Sequence, residues 1–290
     1  MFMSRTRQRT LSFLRFNIGQ SILRKPWLIV VPVVLFAAYV MSDDMLVLAK
    51  NQRLPPNIWN PLFSILGNGG VIFGLINFLF LFLISDLSVE TGFGAVLLFR
   101  LGSRSKWWLA KVLTLAVATL VFAGTLLVLV GGVSSFAFPW STSWSQLARG
   151  YAGRILPNPA ALVLSPSSAF LQLVLLLILG WFSLGLVTIV VSALANNGII
   201  GFLAGAVIDI AGLFMYHAEA GGVSPQYRYL HFFSFDTHFL FDFHSFGTKA
   251  SMYFPFGASI IYWAVWIALF TTIGFLLCRK KDFLSEKDRS

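Results

Sequence analysis

One acid stands well inside an apolar run of this chain: Asp209, in GFLAGAVIDIAGLF. A charge at the centre of a bilayer costs about 2.5 kcal/mol or more on insertion scales, so this carboxyl must face protein or water. Its chemistry is then either proton or substrate binding, or the plainer work of a buried acid that holds helices together. A second group lies in HAEAGGVSPQYRYLHFFSFDTHFLFDFHSFGTK, where His231, Asp236, His238, Asp242 and His244 crowd together. Asp236 and His238 are two apart, as are Asp242 and His244, so each pair would project to one face of an extended strand. Imidazole and carboxylate suit zinc. The Phe and Tyr between Tyr227 and Phe246 suit instead an aromatic loop at the outer head-group layer, with His and Asp facing water. No established ligand spacing is met, so we assign no metal site.

Familiar catalytic patterns are missing. The chain has no G-x-x-x-x-G-K-[ST] phosphate cradle, no H-E-x-x-H, no G-x-S-x-G and no C-x-x-C. Its one cysteine, Cys278, excludes an internal disulfide and a cysteine metal cage. We therefore expect no cofactor in this chain and no enzymatic activity of its own.

The elements that carry these residues are set by composition. Hydrophobic residues make up 57% of the chain and charged residues 11%, against about 25% charged in a soluble domain. That is too little charge for a soluble surface, and the long apolar runs read as spanning helices. The net charge of +10 comes from residues at the edges of those runs, where they orient helices and meet anionic lipid, so no nucleic-acid partner is expected.

Residues 1–25 hold Arg5, Arg7, Arg9, Arg15, Arg24 and Lys25 with no acid, and Leu11, Leu14, Ile18 and Ile22 recur at helical spacing. This pattern predicts an amphipathic helix in the membrane interface. Six apolar runs follow, 26–41, 69–85, 107–129, 169–195, 199–216 and 252–278, with Asn196-Asn197-Gly198 as a tight turn between the fourth and fifth. Residues 26–278 thus form one transmembrane domain, with external segments at 133–167 and 217–251, and 279–290 form a tail. No cleavable signal peptide is expected, because the segment before the first run is too long. Fifteen Lys and Arg fall in the N-terminal segment, residues 86–111 and the tail, and six in the opposite loops. The fold class is an all-α integral membrane protein of six spans in the cytoplasmic membrane, with both termini cytoplasmic by the positive-inside rule.

Between the second and third runs lies DLSVETGFGAVLLFRLGSRSKWWLAK, residues 86–111. Its order of acid, glycine, apolar stripe, Arg-x-x-Ser-Arg corner, tryptophans and lysine resembles the permease subunits of ABC-2 type transporters. The matching positions are Glu90 and Gly92, then Arg100, Ser103 and Arg104, then Lys111, with Lys106 beside them. The terminal Arg279-Lys280-Lys281-Asp282 is similar to that family's cytoplasmic end. The resemblance implies a half-transporter with a separate ATP-binding cassette ATPase as partner, ATP and Mg being bound by that chain. A second permease copy or a relative would complete the unit. The cargo expected is an amphipathic or hydrophobic molecule such as a peptide, lipid or drug. The alternative is an integral membrane enzyme or metal-dependent protein using Asp209 and the His/Asp loop.

Overall fold

The computed structural model describes residues 15–22, 25–89, 103–220, 233–246 and 254–280. Helix α1 is residues 15–22. A 3-10 turn, Lys25–Ile29, leads into α2, Val30–Gln52. Then come α3, Trp59–Leu66, and α4, Gly69–Ile84. The long α5 is Arg104–Ala137, followed by the short α6, Gln146–Gly150, and α7, Ala152–Ile155. Helices α8, Pro166–Ala195, and α9, Gly198–Ala220, form a hairpin. The short α10, Phe235–Phe239, precedes α11, Phe256–Lys280. The strand pairing among the described residues is one parallel two-residue ladder, β1 His244–Ser245 with β2 Phe254–Pro255.

Five of these helices are long and apolar enough to cross a membrane, and α3 with α4 reaches that length as a pair bent by 51°. The chain is a multi-pass membrane protein. Helix α8 is the axis, packed against α5, α9 and α11. Its start is fixed by Ser165, whose side chain accepts from the Ser168 amide at 3.3 Å, with Pro166 in the first turn. Its end is fixed by Asn196, which adopts a left-handed φ of 51° that asparagine tolerates. The Asn197 side chain then accepts from the Ile199 amide at 2.8 Å and starts α9.

Two of the apolar runs are longer than their composition suggests. The first continues through Asp43 and Asp44 to Gln52. Both acids are exposed, while Met45, Leu48 and Ala49 on the other face pack against Phe138, Leu147 and Ile155. The third continues past Gly131-Gly132 to Ala137, because the helix keeps Val130 and Ser134 buried on one face. Two short helices, α6 and α7, lie within the segment between α5 and α8.

The bundle has two distinct ends. At one, which we call the turn end, Ser192 Oγ donates to the Ser85 carbonyl at 2.9 Å and Ser88 Oγ to the Ile189 carbonyl at 2.8 Å. Asp86 lies so close to Gly198 that a Cβ there would overlap its carboxylate. At the opposite end, Asn57 Nδ2 and Trp59 Nε1 donate to the carbonyls of Ser143 and Ser141, both at 2.8 Å. Trp144 Nε1 there donates to the Leu164 carbonyl at 2.8 Å. Asn158 Nδ2 donates to the carbonyls of Asp242 at 3.0 Å and His244 at 2.6 Å.

Candidate functional site

Three polar constructions interrupt this apolar bundle. The first is at the turn end. Ser103 precedes α5, and Arg104 in its first turn donates through Nη1 to the Arg279 carbonyl at the end of α11, at 3.0 Å. One turn on, Trp108 Nε1 donates to the Thr271 carbonyl at 2.9 Å. Lys111 is buried, its Nζ 2.9 Å from Asn17 Oδ1 on α1 and 5.7 Å from the centre of the Trp107 ring. Lys106 is half-buried. Trp107 and Trp108 are both buried in the bundle, so they are packing residues and not the interfacial anchors their position beside a basic loop suggests. The effect is that α1, α5 and α11 are tied together within two turns of Ser103. Glu90, Gly92 and Arg100 lie outside the described residues, as do His231 and the tail beyond 280.

The second construction is in mid-bundle. Asp209 is 1% exposed, and its Oδ1 accepts from Asn77 Nδ2 at 2.5 Å. Asn77 Oδ1 in turn accepts from Trp181 Nε1 at 2.7 Å. Three elements, α4, α8 and α9, are thereby joined through one amide. Asn77 directly follows a π-helical stretch, Ile72–Ile76, a local widening often found at functional positions. Asp209 Oδ2 has no hydrogen-bond partner among the described residues. The sequence marks Asp209 as buried but gives no partner. Asn77 was missed, and the only signal for it is an amide inside the otherwise apolar IFGLINFLFLF.

The third construction corrects the expectation of a water-facing aromatic loop. Residues 233–246 form a strap tucked into the bundle, and Asp236, His238 and His244 are all buried. Neither pair stands on an extended strand: Asp236 and His238 sit on α10, and Asp242 on a 3-10 turn, Phe241–Phe243, before His244. The strap enters because Phe239 finds a site with no side chain in its way. A Cβ at Gly180 in the middle of α8 would overlap the Phe239 ring, which sits among Phe73, Trp181, Phe235 and Trp263. Trp263 Nε1 also donates to the His238 carbonyl at 3.1 Å.

Ser259 on α11 binds both strap histidines. Its Oγ is 2.8 Å from His238 Nδ1 and 2.8 Å from His244 Nε2. His244 Nδ1 lies 3.0 Å from the Leu240 carbonyl, which only accepts, so Nδ1 carries the proton and Nε2 accepts from the serine. His238 Nδ1 then donates to Ser259. Burial pushes the His244 imidazole down to about 4, against the opposing bond to the Leu240 carbonyl. The neutral form is the one this pattern requires. Ser259 has a base beside it, as an activated nucleophile would, but it is fully buried and has no room for a substrate. Asp236 is different. Neither of its oxygens meets a partner at hydrogen-bonding geometry among the described residues; the nearby amides of Asp236 and Thr237 offset only part of the burial that pushes its carboxyl up to about 7.

Among the described residues, no three His, Cys, Asp or Glu are grouped so as to hold a metal ion. A cavity of about 250 Å³ opens near the turn end, lined by Trp27, Phe82, Phe202 and the carboxylate of Asp86. A model of a family described as a protein of unknown function (DUF2705) matches residues 53–284. No curated protein matches the chain.

Proposed function

We propose, from the premise that this chain belongs to the family DUF2705, whose function is unknown, that it is the membrane-spanning subunit of an ATP-driven exporter of the ABC-2 type. The observation that carries this reading is the set of ties at the turn end. Lys111 is bonded to α1, and Arg104 and Trp108 are bonded to α11. A force applied to the segment before Ser103 would therefore reach α1, α5 and α11 together, rather than bending one helix.

In this reading the turn end faces the cytosol, the spans number six, both termini are cytoplasmic, and the membrane is the cytoplasmic one. The excess of Lys and Arg near that end supports the orientation. The engine is a separate ATP-binding cassette ATPase, which binds ATP and Mg, and a second permease copy or relative completes the transporter. Arg100, Ser103, Arg104 and Lys106 form the basic contact, with Glu90 and Gly92 opening the segment, and Lys111 is the internal tie. Closure of the ATPases biases a two-state rocking of the spans, which requires that they bind one state of the bundle better than the other. The cavity beside Trp27 and Asp86 is apolar with one acid at its wall, which suits an amphipathic cargo.

The test is purification of the tagged chain from its native membrane, followed by assay of ATP hydrolysis. An ATP-binding cassette protein should co-purify, and hydrolysis should rise with cargo. Replacing Arg100 and Arg104 by Glu should leave the chain inserted while uncoupling hydrolysis from transport. Unchanged coupling in that double variant, or a chain that transports with no ATPase bound, refutes the reading.

A further inference from the structure

The strap 233–246 carries an acid where the fold offers it nothing. Asp236 is fully buried, its Cβ is 3.3 Å from where a Cβ on Gly212 of α9 would lie, and neither oxygen has a partner among the described residues. A buried carboxylate without a hydrogen bond or counter-charge is strongly disfavoured, so such a group stays neutral where it is or leaves with its segment.

Among the described residues its surroundings offer no counter-charge. From α9 the nearest titratable group in sequence is Asp209, one helical turn from Gly212, which would repel an ionised Asp236. From α11 it is Tyr262, whose hydroxyl donates to the Phe233 carbonyl at 3.2 Å. On the strap itself it is His238, stacked on Tyr262 at 3.8 Å between ring centres and hydrogen-bonded to Ser259. Helices α4 and α8 have no titratable residue. The strap is otherwise seated by Phe239 over Gly180, by hydrogen bonds from Asn158 and Trp263 to its carbonyls, by His244 on Ser259, and by Ser234 Oγ at 3.4 Å from Met215 Sδ, none of which neutralises a charge on Asp236.

We propose that Asp236 is a proton-binding site that keeps residues 233–246 seated in the bundle while it holds a proton and releases them when it ionises. The bond broken is the carboxyl O–H, the proton goes to water, and the negative charge follows once the strap reaches solvent. Burial places this titration near 7. The inference does not depend on the transport reading, since it concerns only how the strap is held.

Two measurements on the purified full-length chain test it. In infrared pH-difference spectra of the chain carrying Asp209→Asn, which removes the other buried acid, the carbonyl band of a protonated carboxylic acid should be present at pH 6, lost by pH 8, and missing once Asp236→Asn is added. Should that variant fail to fold, Asp236→Glu assigns the band by moving it. The second measurement is maleimide labelling of Thr237→Cys in a Cys278→Ser background, taken as the ratio to the same chain carrying Asp236→Asn at each pH, which cancels the thiol's own titration. A carboxyl titrating near 7 goes from about one-tenth to about nine-tenths ionised between pH 6 and pH 8, so the ratio should rise about ninefold. A flat ratio, or a spectrum in which Asp236 is already ionised at pH 6, overturns the proposal.

Discussion

Replacing Gly180 by alanine adds a single methyl group, yet it should undo the seating of the strap. That methyl would lie 3.0 Å from Phe239 Cγ and would overlap two further ring carbons, well inside the usual contact of about 3.5–4.0 Å between carbons. Phe239 is fully buried, with the Trp181 ring centre at 6.2 Å on one side and Phe73 at 5.8 Å on another, so it has nowhere to turn. Overpacking of this kind costs about 1–3 kcal/mol. Each aromatic pair disturbed adds about 0.5–1.5 kcal/mol. The better helix propensity of alanine returns at most about 1 kcal/mol. We expect a net loss of about 2 kcal/mol, and because lipid is as apolar as the side chains, the loss is one of packing, not of water exclusion. Reversible denaturation in mixed micelles, followed by helical circular dichroism, measures it. Gly124→Ala is the control, since a Cβ there meets nothing within 4 Å and the change should be neutral or slightly stabilising. Phe239→Leu should recover part of the loss in the Gly180→Ala background, as a double-mutant cycle reads directly. If Gly180→Ala matches Gly124→Ala, the strap does not sit where we place it.

Two other perturbations follow from the buried polar groups. Asn77→Ala strands both Trp181 Nε1 and Asp209 Oδ1 and should cost about 1–3 kcal/mol, whereas Asp209→Asn keeps an acceptor for Asn77 and should cost under about 1 kcal/mol; equal losses in the same micelle titration would show that the amide is not the hub. His244 has its folded value lowered from 6.5 to about 4, so its contribution to stability is full above pH 6.5 and is lost as pH falls toward 4. At about 1.4 kcal/mol per pH unit for one proton, the loss across that window is about 3 kcal/mol. Denaturation free energies measured from pH 7 to pH 4 should fall by about 3 kcal/mol in the wild type relative to His244→Gln, since the opposing gain from Asp236, raised to about 7, is common to both; a constant difference would refute the assignment.

How much of this was legible in the chain depends on the distance between partners. The helices were, because apolar runs and their basic edges are local. So was the 196–197 turn, where two asparagines and a glycine supply the left-handed backbone and the cap. The tucked strap was not: phenylalanines suit a head-group layer and a bundle interior equally, and the choice is made by Gly180, more than fifty residues earlier. Asp209 could be marked as buried from its apolar neighbours, but Asn77, Trp181 and Ser259 are ordinary residues until the fold brings them to their partners. The extension of α2 past Asp43 and Asp44 was hidden for a related reason, since two adjacent acids read as a helix end unless the opposite face is known to pack on Phe138 and Leu147. Of the basic segment, Lys111 falls within the third apolar run of the sequence, and the structure adds that it is buried there and bonded to Asn17.

The proposed function requires that the turn end, with Ser103, Arg104, Lys106 and Lys111 at the start of α5, be the cytosolic end through which a partner moves the bundle. Labelling of Ser103→Cys and Ser105→Cys by a membrane-impermeant thiol reagent, in a Cys278→Ser background, tests it most directly. The account predicts modification in inverted membrane vesicles and none in intact cells. Modification of either position from outside intact cells would place this end on the wrong side and contradict it.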